Sequence, residues 1–433
     1  MLLVYTHKIT NRLRYTFKQI FEEILGLPLR FTTDKEEFVA YIGTKLSYTF
    51  EPVEDELFFH ARDLLFEKRL RNVELNPKFY DDILGFFPVS KHSTMPFDPF
   101  AASFYLLSRY EEYLPFAPDD HGRFSMSQSV LNKPDWLMKP WVDIWAYHLR
   151  DILLKRYPNA VFKDREFKFL STIDVDQAYA YRHKGFLRSV GTFSKQLLQG
   201  NFKEILHQFK VLIAGRQDPF NTFDELLAWH ESRGLDLQFF FLVGDYGVYD
   251  QSIAYTHPAF RLLVKSVHDY VPIGLHPSYR ASHSSAKIKG EKKRLEQMVH
   301  REVTDSRQHF LRIQFPDTPR MLLDLDIERD YTLAYAEHPG FRAGTCTPFP
   351  FYDLQFEVPT KLQMVPTSVM DVSMRYYLGL EPNQAVEMIK KVMDEVKAVD
   401  GQFVSLWHNN SVSDFAEWEG WQKVFLQQLD LVK

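Results

Sequence analysis

The chain has 433 residues, 45% of them hydrophobic and 25% charged, a globular composition long enough for two or three domains. Its net charge of -5 leaves no basic field to hold nucleic acid or an anionic membrane, and its one cysteine, Cys346, excludes an intrachain disulfide. No apolar run approaches the ~18–20 residues of a membrane span. The MLLVYT start also lacks the charged-then-apolar order of a secretory signal, so the expectation is a soluble cytoplasmic protein whose oligomeric state stays open.

In chain order, MLLVYT (1–6) and EEFVAYIG (36–43) read as strands, and residues 10–25 carry apolar side chains at helical spacing. DPFAASFYLLSRYEEY (98–113) reads as an amphipathic helix, with Phe100, Phe104, Leu107 and Tyr110 near one face and Asp98-Pro99 as cap and first turn. Glu111 and Glu112 read as helix-surface or ion-pairing residues. The following loop, with Pro115, Pro118, Asp119, Asp120 and Gly122, is turn-rich, which explains Asp119, Asp120 and His121 better than a cation site does. A helix over 141–157 ends before Pro158-Asn159, which places the boundary of a smaller mixed α/β module, 1–160.

From residue 166 onward the pattern changes. FKFLSTID (167–174), LQFFFLVG (237–244), YVPIGLH (270–276) and GQFVSLWH (401–408) are buried-looking runs, most of them ending on a polar or charged residue. Helical segments over 222–233, 257–270, 289–308 and 382–399 separate them, and a helix-like excursion occupies about 184–220. This alternation predicts parallel strands in a barrel or an open sheet. In a barrel, residues just past the strand C-termini form the active-site face. The basic run at 287–294 reads as the solvated start of a helix rather than a nucleic-acid contact.

FLSTIDVDQAY (169–179) carries the strongest chemical signal, an apolar strand delivering Asp174 and Asp176 at its end. One carboxylate can grip a cation while the other takes a proton from water. Asp is also common in turns after strands. YVPIGLHPSYRAS (270–282) repeats the geometry with His276, whose imidazole can join the cation held by Asp176 or bond a loop carbonyl. SLWHNNS (405–411) adds His408, able to protonate a leaving amine, beside Trp407, which reads as packing, and Asn409 and Asn410, which read as turn residues. Cys346 has no local base partner and reads as a small buried residue. No Gly-rich phosphate loop and no Gly-x-Ser-x-Gly elbow occurs, which argues against kinase, dinucleotide-binding and triad-hydrolase chemistry.

Taken in order, the Asp-x-Asp, the Gly-x-His loop, the Arg-containing SRQHFLR (306–312), RDYTLAY (329–335) and the late Leu-x-His resemble the polysaccharide deacetylases of carbohydrate esterase family 4, over residues 166–433. The first 160 residues resemble an N-terminal module found with such domains in bacterial proteins. The resemblance implies a distorted (β/α) barrel and divalent-metal-dependent removal, with zinc as the metal, of N-acetyl groups from an amino-sugar-containing glycan. It also implies Asp174 as catalytic base, Asp176 and His276 as metal ligands and His408 as general acid. Arg307 and Asp330 match the Arg and Asp that orient and tune the base, with Arg342 a competing match for the Arg.

The family pattern places a second metal-binding His four residues after the first, where this chain has Arg280. A guanidinium stays protonated and cannot ligate a cation. Three outcomes are open: His309, or His283, completes the site; the metal is held by Asp176, His276 and waters; or no metal binds, leaving a metal-independent amidohydrolase or an inactive carbohydrate-binding scaffold.

Overall fold

The computed structural model describes residues 1–185 and 202–433. The chain begins with β1 (Leu2–Tyr5), which pairs in parallel with β2 (Leu29–Thr32) and β3 (Lys45–Thr49); β4 (Leu57–His60) extends the sheet to the order β2-β1-β3-β4. Between β1 and β2 the helix Asn11–Phe17 runs on into a π-helical stretch, Lys18–Ile24. The segment 36–43, expected as a strand, instead forms most of the helix Lys35–Ala40. Asp34 accounts for this: its Oδ1 accepts from the backbone N–H of Glu36 (2.8 Å) and Glu37 (3.2 Å), capping donors that only a helix leaves free. A short hairpin follows, β5 (Lys78–Tyr80) with β6 (Ile83–Gly85).

The helix Pro99–Leu107 is buried on every side, where the sequence predicts a one-faced amphipathic helix. Asp98 caps it, accepting from Phe100 N (3.0 Å) and Ala101 N (2.9 Å), while its other oxygen accepts from Tyr48 Oη (2.7 Å) and Arg62 N (2.8 Å). Burial raises the Asp98 carboxyl to about 6 against those four hydrogen bonds. The helix stops before Arg109, which takes a left-handed φ of 51°, and the next turn swings Glu111 and Glu112 inward. Arg109 Nε donates to Glu112 Oε1 (2.8 Å). Arg342, far along the chain, donates to both oxygens of Glu112 (2.9 and 2.5 Å). All three side chains are essentially inaccessible, so an ion network ties residues 1–160 to the rest of the chain.

The remaining strands are β7 (Lys168–Val175), β8 (Asp236–Phe241), β9 (Ile273–Leu275), β10 (Asp305–Ser306), β11 (Arg329–Asp330), β12 (Phe349–Asp353), β13 (Val358–Met364), β14 (Val369–Met370) and β15 (Gln402–His408). They form one sheet of order β12-β13-β11-β10-β9-β8-β7-β15-β14, parallel except for the β12–β13 hairpin. Among the described residues no pair joins β12 to β14. The protein is therefore mixed α/β with an open ladder where barrel closure is expected: an antiparallel hairpin occupies one edge and a two-residue strand the other.

Helices Phe223–Glu231, Pro258–His268 and Pro382–Lys397 fall where the sequence places them. The one expected over 289–308 begins earlier and ends sooner, as Ser285–Val299. Ser284 caps its start, and His300, at φ 54°, ends it, freeing 305–306 to become β10. The basic run 287–294 thus lies within this helix, and Glu291 turns inward to accept from Ser278 N (2.8 Å) and Oγ (2.6 Å), pinning the loop after β9. Of the excursion expected at 184–220, residues 186–201 lie outside the described residues and Phe202–Leu212 is helical. No helix among the described residues is long and apolar enough to cross a membrane.

Candidate active site

Parallel pairing puts the C-terminal ends of β7, β8, β9, β10 and β15 side by side. Asp174 lies opposite His408 in the register, and Ser306 opposite Leu275. Asp174, on β7, and Asp176, one residue past its end, are two positions apart, the spacing at which extended backbone turns side chains to one face. Arg307, just past β10, is fully buried and spends its guanidinium here: Nη1 donates to Asp174 Oδ1 (2.8 Å) and Thr172 Oγ1 (2.8 Å), and Nε donates to the Tyr331 carbonyl (3.1 Å). The guanidinium lies 4.7 Å from the centre of the Phe240 ring, so one oxygen of Asp174 is held on a preset cation.

Three imidazoles are oriented through Nδ1. His276 donates to the Arg307 carbonyl (2.6 Å), His309 to Asp250 Oδ1 (2.9 Å) and His408 to Asp371 (2.9 and 3.1 Å). Each bond leaves Nε2 free toward Asp176, at 3.2 Å for His276, 3.3 Å for His309 and 3.7 Å for His408. Asp176, His276 and His309 offer ligand atoms all within 4.8 Å of one another. Two ligands of a tetrahedral zinc ion lie about 3.4 Å apart, close to the 3.2 and 3.3 Å seen here. Asp176 Oδ1 and His276 Nε2 are buried without a hydrogen-bond partner among the described residues. Orphaned lone pairs on a carboxylate and an imidazole are what a bound cation satisfies, so the residues present fit one.

The carboxylates of the cluster also set the charge on these rings, and a proton on Nε2 is what a cation would displace. Burial works against charging His309, but Asp176 and Asp250 outweigh it and raise the imidazole to about 9. Burial likewise opposes charge on His408, yet Asp371, Asp176 and Asp174 raise it to about 10. Asp176 is driven well below the usual carboxylate range: burial acts upward, but His309, His276 and His408 overcome it.

The cluster opens into a cavity of about 160 Å³, with Leu311, Ala336, Met370, Val372 and Leu406 forming an apolar wall. Phe310 and Leu311, beside His309, both adopt left-handed backbone (φ 61° and 54°). For bulky residues that strain costs about 1–3 kcal/mol each and collects at functional sites.

The structure brings Asp174, Asp176, His276, His309, Arg307 and His408 together and leaves other candidates outside. Asp330 is fully buried but bonds Ser306 Oγ (2.7 Å) and Thr332 (N 3.1 Å, Oγ1 2.9 Å) instead of bracing Asp174. Arg342 belongs to the Glu112 network. Arg280 and His283 are exposed, and His283 meets Arg312 (2.6 Å). The imidazole that lies beside Asp176 and His276 comes from the next strand end, His309, and not from position 280. Asp119 closes a turn, accepting from His121 N (2.9 Å) and Arg123 N (2.8 Å). Trp407 packs fully buried with its Nε1 donating to Gln428 (3.0 Å), and Cys346 is buried. Sequence reasoning missed Asp250 and Asp371. Asp371 follows the apolar pair Val369-Met370 as Asp174 follows its own apolar run, and that similarity is the available signal.

The open α/β sheet thus carries at its strand ends an Asp/His cluster whose side chains could hold a cation. A family of unknown function (DUF7033) matches residues 2–158. No curated protein matches the chain. Among solved structures, a Mycobacterium smegmatis protein provisionally described as a polysaccharide deacetylase is 15% identical, covering 63% of this chain and 86% of its own, with a TM-score of 0.41. A CE4 family pseudoenzyme from Bacillus anthracis is 10% identical over 61% of each chain (TM-score 0.31). A mutant of it with restored enzymatic activity is 11% identical, covering 61% of this chain and 63% of its own (TM-score 0.30). At these scores the functional reading rests on the site alone.

Proposed function

We propose that this chain hydrolyses the acyl–nitrogen bond of an N-acetylated amino sugar in a glycan, using a divalent cation, zinc by first choice, held by Asp176, His276 and His309. In this reading residues 166–433 form the catalytic part and 1–160 a module attached to it. The convergence of those three side chains, with two buried lone pairs unspent, supports the reading most. A cation there would polarise the acyl carbonyl and lower the proton affinity of water. Asp174, fixed by Arg307, is the carboxylate placed to take the proton from the attacking water. His408, oriented by Asp371, returns a proton to the departing nitrogen. The apolar wall takes the acyl methyl and excludes bulk water.

The test is acetate release from N-acetylglucosamine oligosaccharides by zinc-loaded protein. Asp174→Asn should lower kcat by about 10²–10⁴-fold, the range for losing a general base; turnover equal to the parent chain sinks the assignment. Asp371→Asn probes the acid. A general acid works while protonated, so activity falls as pH rises through the pKa of His408. Asp371 raises that pKa, so its removal should move the alkaline limb of the pH–rate profile down by about one unit or more. An unmoved limb would take His408 out of the acid role.

A further inference from the structure

Gln308 lies between Arg307 and His309, lines the cavity and is completely inaccessible, yet neither Oε1 nor Nε2 finds a hydrogen-bond partner among the described residues. Its backbone N–H is anchored on Thr332 Oγ1 (3.0 Å), which fixes the main chain from which this side chain projects. A buried polar group left unpaired costs about 1–3 kcal/mol. A fold that retains both ends of an amide unpaired in the lining of the cavity that holds its Asp/His cluster has a use for them.

A second polar group reaches the same cavity from the other end of the chain. Arg123 belongs to the segment matched by the family of unknown function, and it is 7% exposed. Its guanidinium is braced by Asp119 Oδ2 (Nε, 2.7 Å), the Phe310 carbonyl (Nη1, 2.9 Å) and Tyr377 Oη (Nη2, 3.1 Å). Each Nη carries a second N–H that these bonds do not use. The loop delivering it is bolted to the strand-end loops: Arg312 donates to the His121 carbonyl (2.8 Å), and His121 Nδ1 lies 3.2 Å from Tyr279 Oη.

We infer that Gln308 and Arg123 are the substrate-reading groups of this cavity, so that residues 1–160 complete the site instead of merely accompanying it. An amide offers one acceptor and two donors, which matches the N–H and C=O of an acylamino substituent. The guanidinium offers donors only, for a neighbouring hydroxyl or carbonyl oxygen. The ligand class is therefore an acylamino sugar with an oxygen substituent beside the amide, which rests on the hydrolase reading above.

The experiment compares full-length, zinc-loaded parent protein with Gln308→Leu and Arg123→Lys, using N-acetylglucosamine oligosaccharides as the probe. Leucine fills the same space and removes both orphaned atoms, so the thermal midpoint should hold or rise while KM increases about tenfold and kcat stays within about threefold. Arg123→Lys keeps the charge, loses the fork and should raise KM similarly. A lowered midpoint with unchanged KM in Gln308→Leu would mean that the amide serves the fold, and overturns the inference. If the parent protein releases no acetate, the hydrolase reading fails separately, and calorimetric binding of the same oligosaccharides decides here. Binding weakened about tenfold in both variants supports the pair; equal binding, or none by the parent, overturns it.

Discussion

His309→Ala is expected to lower zinc affinity by well over 100-fold and to remove acetate release with it. Loss of a group that merely orients a metal ligand costs about 10–100-fold, and His309 is placed to be a ligand itself, its Nε2 3.3 Å from Asp176 and its other nitrogen 2.9 Å from Asp250. Among the described residues the substitution leaves Asp250 Oδ1, in a buried residue, with the Tyr279 backbone N–H (2.8 Å) as its partner. The control is Arg280→Ala, at the position where a His four residues after His276 would stand. Arg280 is exposed, and its removal should leave zinc affinity unchanged. Competition with a chromogenic chelator reads both variants. Equal zinc affinity in His309→Ala and the parent would dismantle the three-residue site.

Glu112→Ala should produce the largest loss of stability, about 3–5 kcal/mol, the cost of leaving buried charges without their partner. Glu112 takes hydrogen bonds from Arg109 and from Nε and Nη2 of Arg342, all three groups at 1–2% side-chain exposure. Arg109 keeps Glu111 (2.9 Å) after the substitution. Arg342 keeps only a carbonyl, that of Ala334 (3.1 Å). The denaturant midpoint measures the effect, and an unfolding midpoint equal to that of the parent would show that the network does not hold the two parts together. Because Arg342 also donates to the Ala334 carbonyl (3.1 Å), two residues before the cavity-lining Ala336, the same variant should weaken substrate binding as well.

Much of the site was legible in the sequence for a local reason. Asp174, Asp176 and His408 each stand at the end of an apolar run, and strand periodicity alone puts such residues at one edge of a parallel sheet. His309 was legible only as one candidate among several. Nothing near Arg307 says which imidazole substitutes at the site, because that depends on how β10 sits beside β9. Asp250 and Asp371 are Asp residues in loops, indistinguishable by type from turn formers. The strand expected at 36–43 differs in kind: Asp34 caps a helix there, and a local cap outweighs a short apolar run.

Residue type and spacing along the chain by themselves determined the alternating α/β pattern, the turn at Asp119–Gly122 and the polar strand ends, since each depends on interactions within a few residues. Only the tertiary structure decided that the ladder stays open, that His309 joins Asp176 and His276, that Asp371 serves His408, and that Arg123 enters the cavity from the first third of the chain. Those are pairings between residues tens to hundreds of positions apart. They are set by which strands hydrogen-bond and which buried charges find each other, and short-range propensity carries no record of either.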